Sequence, residues 1–150
     1  MKKAFLLIIT FGLIFIYWCE GQGGGLEEPG IQETIQEIQQ QSDEVVQIYY
    51  FWWDGCPACA QQNEFFEQLK EDYEDQISIN RFEVWWSTEK SRLFGYVWEQ
   101  LGYRTNSVPF TIIEEEWYVW VVTNELEDKI NNCLNTWCED PVIDIIKDFE

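Results

Sequence analysis

The stretch from Val45 to Cys59, Val-Val-Gln-Ile-Tyr-Tyr-Phe-Trp-Trp-Asp-Gly-Cys-Pro-Ala-Cys, constrains this chain more than any other segment. A half-exposed strand alternates apolar and polar residues. Val45 to Trp53 does not: apart from Gln47 it is continuously apolar, β-branched or aromatic, and reads as a central strand buried on both faces. Asp54 and Gly55 turn the chain, and Pro57 suits the first position of a helix, where its missing N–H costs nothing.

The same stretch sets Cys56 and Cys59 where a strand hands over to a helix. A helix start offers unpaired N–H groups and a positive dipole end, which stabilise a thiolate. Cys56 is therefore the candidate nucleophile, and Cys59, one turn on and facing back, the candidate resolving thiol. A Cys-x-x-Cys pair is also half of many zinc sites. Here the chain has no histidine, and the next cysteines are the distant Cys133 and Cys138. Zinc would leave a strand-to-helix junction doing a zinc knuckle's job. Thiol chemistry fits that context better, with no organic cofactor and no metal. Two alternatives remain for the same dithiol: a surface protein binding Cu(I) or Zn, and a redox-inert adaptor with a permanent bridge.

At 150 residues, 46% of them hydrophobic, the chain suits one compact domain. Residues 1–19 differ in kind: Lys2 and Lys3 precede an apolar run from Ala4 to Trp18, which reads as a signal peptide or membrane anchor. The run is shorter than a full span of about 20 residues, but tilt and lysine snorkelling accommodate an uncleaved anchor. Ile16, Tyr17 and Trp18 offer no small-residue cleavage site. Cys19 stands where a lipid-modified cysteine stands, so lipidation and an unmodified anchor cysteine are both open. Residues 20–30 form a glycine-rich linker and 31–150 the domain. The expected location is extracytoplasmic, where disulfides persist. A net charge of −19, from 28 acidic and 9 basic residues, excludes nucleic acid and anionic lipid surfaces as natural partners of the body.

Ile31, Ile35 and Ile38 predict a short amphipathic helix. After the Cys-x-x-Cys, Phe65, Phe66, Leu69 and Tyr73 form one stripe of a helix ending near Asp75. Ile77 to Trp85 reads as a second strand. Ser87 caps a helix carrying Leu93, Phe94, Val97 and Leu101, which Gly102 ends. Pro109 to Ile113 and Trp117 to Val122 read as a hairpin, and Asn124 with Glu127 as a capping box before Leu126, Ile130, Cys133 and Leu134. The expected class is α/β, in the order strand, helix, strand, helix, strand, strand, helix after an N-terminal helix.

That order, Cys56-Pro57-Ala58-Cys59 after the first strand, and Val108-Pro109 at the start of the third resemble the thioredoxin fold in its shorter, glutaredoxin-like form. The resemblance covers about residues 45–138. It implies a four-stranded mixed sheet flanked by helices, a cis-proline at Pro109, and a Val108 backbone turned beside the dithiol to pair with an extended client. Lys90-Ser91-Arg92-Leu93-Phe94, Leu101-Gly102-Tyr103, and Cys133-x4-Cys138 before Pro141 look like a narrower group of small exported prokaryotic domains. Two positions depart from the pattern. Tyr50 stands where thioredoxins commonly place a buried Asp, and Pro57-Ala58 is neither the Gly-Pro of thioredoxins nor the Pro-His of strong oxidants. The redox potential therefore does not follow from these residues.

Cys133 and Cys138 on an unbroken helix would lie about 140° apart around its axis and about 7.5 Å apart along it, too badly aimed to bridge. A structural disulfide requires the helix to stop between them, and Asn135, Asp140 and Pro141 are stop signals. A second electron-relay pair, free thiols and metal are the other options. Trp52, Trp53, Trp85 and Trp86 read as core and rim packing, with Trp53 shaping a client groove. The resulting expectation is a membrane-tethered thiol–disulfide oxidoreductase, its clients protein thiols and disulfides, recharged by an unidentified membrane redox partner.

Overall fold

Strand β1, Val46–Trp52, lies inside the sheet with every residue from Gln47 to Phe51 buried, as its continuous apolar run requires. The computed structural model describes residues 30–41, 45–103 and 107–149. Around β1 the chain forms α1 (Ile31–Gln41), α2 (Pro57–Tyr73), a 3-10 turn (Glu74–Gln76), β2 (Ile77–Glu83), α3 (Thr88–Gln100), β3 (Phe110–Ile113), β4 (Glu116–Val119), α4 (Asn124–Thr136) and α5 (Pro141–Lys147). The protein is thus α/β, with a four-stranded sheet in the order β2-β1-β3-β4. The sheet is mixed: β1 runs parallel to β2 and antiparallel to β3, and β3 runs antiparallel to β4.

Alternation along β1 divides the core in two. Tyr49 and Phe51 face a layer built by α1, α3 and α5, whereas Ile48 and Tyr50 face α2 and α4. Phe51 is the hub of the first layer. Its ring stacks on Phe82 at 5.0 Å and Phe94 at 4.8 Å, and its strand neighbours are Phe82 and Phe110. Fully burying one such side chain contributes about 1.5–3 kcal/mol. Ile31, Ile35 and Ile38 are the buried stripe of α1, and on α2 the stripe is Phe66, Leu69 and Tyr73, with Phe65 only partly covered. Ser87 caps α3 through the Lys90 N–H at 3.2 Å.

Strands β2 and β4 stop at Glu83 and Val119, short of the expected Trp85 and Val122, and two expectations about the helices differ. Thr123, not Asn124, occupies the cap of α4, and no side chain closes it. The reason lies upstream: buried Gln62 accepts from the Val122 N–H at 2.7 Å and donates to the Val122 carbonyl at 3.0 Å. This clamp fixes how the chain approaches the helix, which starts one residue before the capping box would have it. The second difference is α5. Asp140 caps it through Val142 and Ile143 N–H groups at 3.1 and 3.2 Å, and Val142, Ile143 and Ile146 are buried. Asp140 and Pro141 begin a helix and do not end one: α4 has already stopped at Thr136, with the Trp137 N–H on the Cys133 carbonyl, and Asp140 supplies the cap of α5.

The expected anchor (1–19), most of the linker and Cys19 lie outside the described residues. Among those described, no helix is long and apolar enough to cross a membrane.

Candidate functional site

β1 delivers the chain to a tight turn in which the Cys56 N–H donates to the Trp53 carbonyl at 3.3 Å. Gly55 sits there with a φ of 91°, a conformation that side-chain-bearing residues rarely adopt. Cys56 then becomes the N-cap of α2 in extended conformation, and its Sγ accepts the Cys59 N–H at 3.2 Å. The sulfur does what a Ser or Asp oxygen does at other helix starts, and Pro57 follows it inside the first turn.

The two thiols are unequal. Cys56 is half-buried and Cys59 is 1% exposed, and neither is in a disulfide. Burial first, and then hydrogen bonding with Cys56, pushes the Cys59 thiol up to about 12, against opposing contributions from the Trp53 backbone and the Tyr50 hydroxyl. Tyr50 lies beneath Cys59: its hydroxyl donates to the Cys59 carbonyl at 3.1 Å, and its ring meets the Phe66 edge at 4.7 Å. Burial raises the Tyr50 hydroxyl well above its ordinary value, so it stays a neutral donor. The position that a carboxylate would fill thus holds an uncharged hydroxyl.

Val108-Pro109 is a cis peptide bond. Phe110 opposes Phe51 in the antiparallel pairing of β3 with β1, so Pro109 stands at the end of β1 from which the dithiol turn departs. The Pro109 carbonyl accepts the Trp120 N–H at 3.0 Å. Val108 packs partly buried against the first core layer. Trp53 is exposed, its ring 4.7 Å from that of Trp85. Of the four tryptophans expected to pack in core and rim, Trp52 alone joins a core cluster, while Trp53, Trp85 and Trp86 are on the surface. Glu83, which the sequence did not mark, holds this corner. One carboxylate oxygen accepts the N–H of Trp85 at 3.2 Å and of Asp54 at 3.4 Å, and the other the N–H of Trp86 at 2.8 Å.

Cys133 and Cys138 are joined, with Cα atoms 4.9 Å apart. The helix does stop between them: α4 ends at Thr136, and Trp137 turns the chain at a φ of 58°. The bond lies beside Val45, Val46 and Glu114, at the start of β1, whereas the dithiol follows its end. The seven residues of β1 separate the two pairs by about 20 Å. They cannot exchange directly within one molecule. Among the described residues, one group of three potential metal ligands comes together, Glu114, Cys133 and Cys138, and its sulfurs are bonded to each other. The dithiol itself offers two sulfurs, short of the four ligands of a structural zinc site.

Chemically, a half-exposed sulfur at a helix start in contact with a buried protonated one can form and resolve a mixed disulfide. No protein family and no curated protein matches this sequence. Among solved structures the chain is similar to one described as "Structure of a malarial protein", with 17% identity and a TM-score of 0.45 over 59% of this chain and 94% of that one. A likeness of that extent carries nothing into the functional reading.

Proposed function

We propose that the protein is an extracytoplasmic, membrane-tethered thiol–disulfide oxidoreductase with a thioredoxin-like, glutaredoxin-like domain. The observation that carries this reading is the asymmetry of the dithiol: Cys56 reachable at the N-cap of α2, Cys59 buried and protonated behind it. The strand order β2-β1-β3-β4, with a cis Val108-Pro109 step at the dithiol end, supports the assignment to that fold.

In the reducing direction the Cys56 thiolate attacks a client disulfide. The client S–S bond breaks, a Cys56–client disulfide forms, and the departing client thiolate takes up a proton. Cys59 then gives up its proton, attacks the Cys56 sulfur and releases the second client thiol. Two electrons have passed to the client and Cys56–Cys59 is oxidised; the reverse sequence oxidises a client dithiol. Val108 and Pro109 line the place where the client backbone lies, and Trp53 borders it. Recharging the pair after each turnover requires a membrane redox partner.

Cys59→Ser in the full chain tests the reading. A relay enzyme lacking its resolving thiol accumulates client disulfides on Cys56, visible as reductant-sensitive adducts on a non-reducing gel and absent from Cys56→Ser/Cys59→Ser. Absence of adducts, with Cu(I) or Zn copurifying on the wild-type dithiol, would turn the assignment to metal binding.

A further inference from the structure

Four of the six exposed tryptophans among the described residues stand at one end of the molecule, Trp117 and Trp137 lying apart from them, and the exchange step does not need them. β1, β2 and β4 all finish on the dithiol side of the sheet. The chain leaving β1 carries Trp53, 37% exposed; that leaving β2 carries Trp85 and Trp86, 60% and 75% exposed; that leaving β4 carries Trp120, 63% exposed. Single exposed apolar residues are ordinary, but a cluster at one edge marks a contact surface.

The backbone that carries them is held in place. Glu83 ties the β1 exit to the β2 exit through three backbone N–H groups, and the Trp53 and Trp85 rings meet. Trp120 is held at a φ of 74°, where bulky residues are rare, with its N–H on the Pro109 carbonyl. The dithiol thus sits between an indole shelf on the β2 side and a second indole on the β4 side. From β2 across β1 and β3 to β4 are three strand spacings, about 14 Å, the reach of about four to five extended residues.

Charge indicates what lies across that span. The chain carries −19, and Asp54, Glu83, Glu89 and Glu125 stand at the strand exits and first helical turns of this end, where they outnumber Lys90 of the first turn of α3. Arg81, two residues before the end of β2, is paired with Glu67, and Lys129 and Lys147 are paired with Glu114 and Glu116 and with Asp144. Indole faces bordered by carboxylates attract ammonium and guanidinium groups, and the same field repels anionic lipid and acidic peptides. We propose that this end of the molecule takes an extended client segment of about five residues whose cysteine is flanked by Lys or Arg, the cations resting on Trp85 and Trp86 on one side and Trp120 on the other. The proposal rests on the relay reading and names its substrate class.

The test uses the reduced full chain and two synthetic pentapeptides, cysteine flanked by arginines or by glutamates, each as its mixed disulfide with glutathione. Reduction rates are measured in 0.15 M NaCl and divided by the rates with dithiothreitol, which removes the peptides' intrinsic difference. A cation over an exposed indole changes affinity roughly two- to fivefold, so two contacts predict a preference for the arginine peptide of about five- to twentyfold. Trp85→Ala/Trp86→Ala, which leaves the charge unaltered, should reduce that preference at least threefold, and Trp120→Ala should move it the same way. Equal normalised rates in the wild type, or a preference that these variants leave intact, overturns the proposal. A blue shift of tryptophan emission with phosphatidylcholine vesicles, lost in Trp85→Ala/Trp86→Ala, would assign the rim to lipid and overturn it too. No reaction with glutathione disulfide would remove the relay itself, and this proposal with it.

Discussion

Alkylation of the reduced protein should separate the two thiols of the Cys-x-x-Cys by a margin that the structure sets. An unhindered cysteine with a pKa near 8.5 is about one-quarter thiolate at pH 8. Cys59, pushed up to about 12 chiefly by burial, is ionised there to about one part in ten thousand, a deficit of roughly two-thousandfold. The more basic thiolate is the better nucleophile, and a Brønsted slope of about 0.4–0.5 returns roughly fortyfold of that. About fiftyfold remains before the shielding of a side chain that is 1% exposed. Iodoacetamide at pH 8, quenched at intervals and followed by peptide mapping, reads both sites. Cys59 should label at least fiftyfold more slowly than an unhindered cysteine, with Cys56 modified first. Labelling of Cys59 within fivefold of the unhindered rate, in protein shown to be folded, would refute the inference that burial keeps it protonated.

Further outcomes follow from the fold. Gln62→Leu deprives both backbone groups of buried Val122 of their partner, at about 1–3 kcal/mol each; urea unfolding should show a loss of about 2–5 kcal/mol. Replacing Cys133 and Cys138 together by Ser removes a short cross-link of sequence separation 5. It should cost about 2 kcal/mol by denaturant titration while leaving exchange at Cys56 intact. Asp140 accepts from the Tyr49 hydroxyl at 2.5 Å, yet burial raises its carboxyl above the ordinary range. A raised folded value means that its contribution to stability is full below about pH 4 and declines as pH rises through that folded value. The difference in stability between wild type and Asp140→Asn, measured from pH 3 to 7, should therefore shift toward the variant as pH rises.

The order of elements was legible because β1, α2 and α3 carry strong periodic signals and clear punctuation: Pro57 at a helix start, Ser87 at a cap, Gly102 at a stop. The cysteine positions at the helix start followed from the same punctuation. Less of the surroundings was legible. Asp140 and Pro141 read equally well as an end and as a beginning, and a helix of seven residues leaves little periodicity to decide between them, so α5 was missed. The capping box at Asn124 lost to the Gln62 clamp, a contact across 60 residues that no local pattern encodes. Glu83 looks like any other acid in a chain with 28 of them; its role appears only when β1 and β2 end side by side. The exposure of Trp85 and Trp86 was hidden for a related reason. Tryptophan in a strand-like run suggests burial, and only the end of β2 at Glu83 shows that both lie beyond the sheet.

The most direct test of the central claim is a redox titration of the full chain in glutathione buffers, counting free thiols at each potential. A reversible two-thiol transition is expected, abolished by Cys56→Ser and retained when Cys133 and Cys138 are replaced by Ser. Its midpoint would show the direction of use, near −120 mV for an oxidant and near −270 mV for a reductant. A dithiol that stays fully reduced or fully bridged across that whole range would contradict the account.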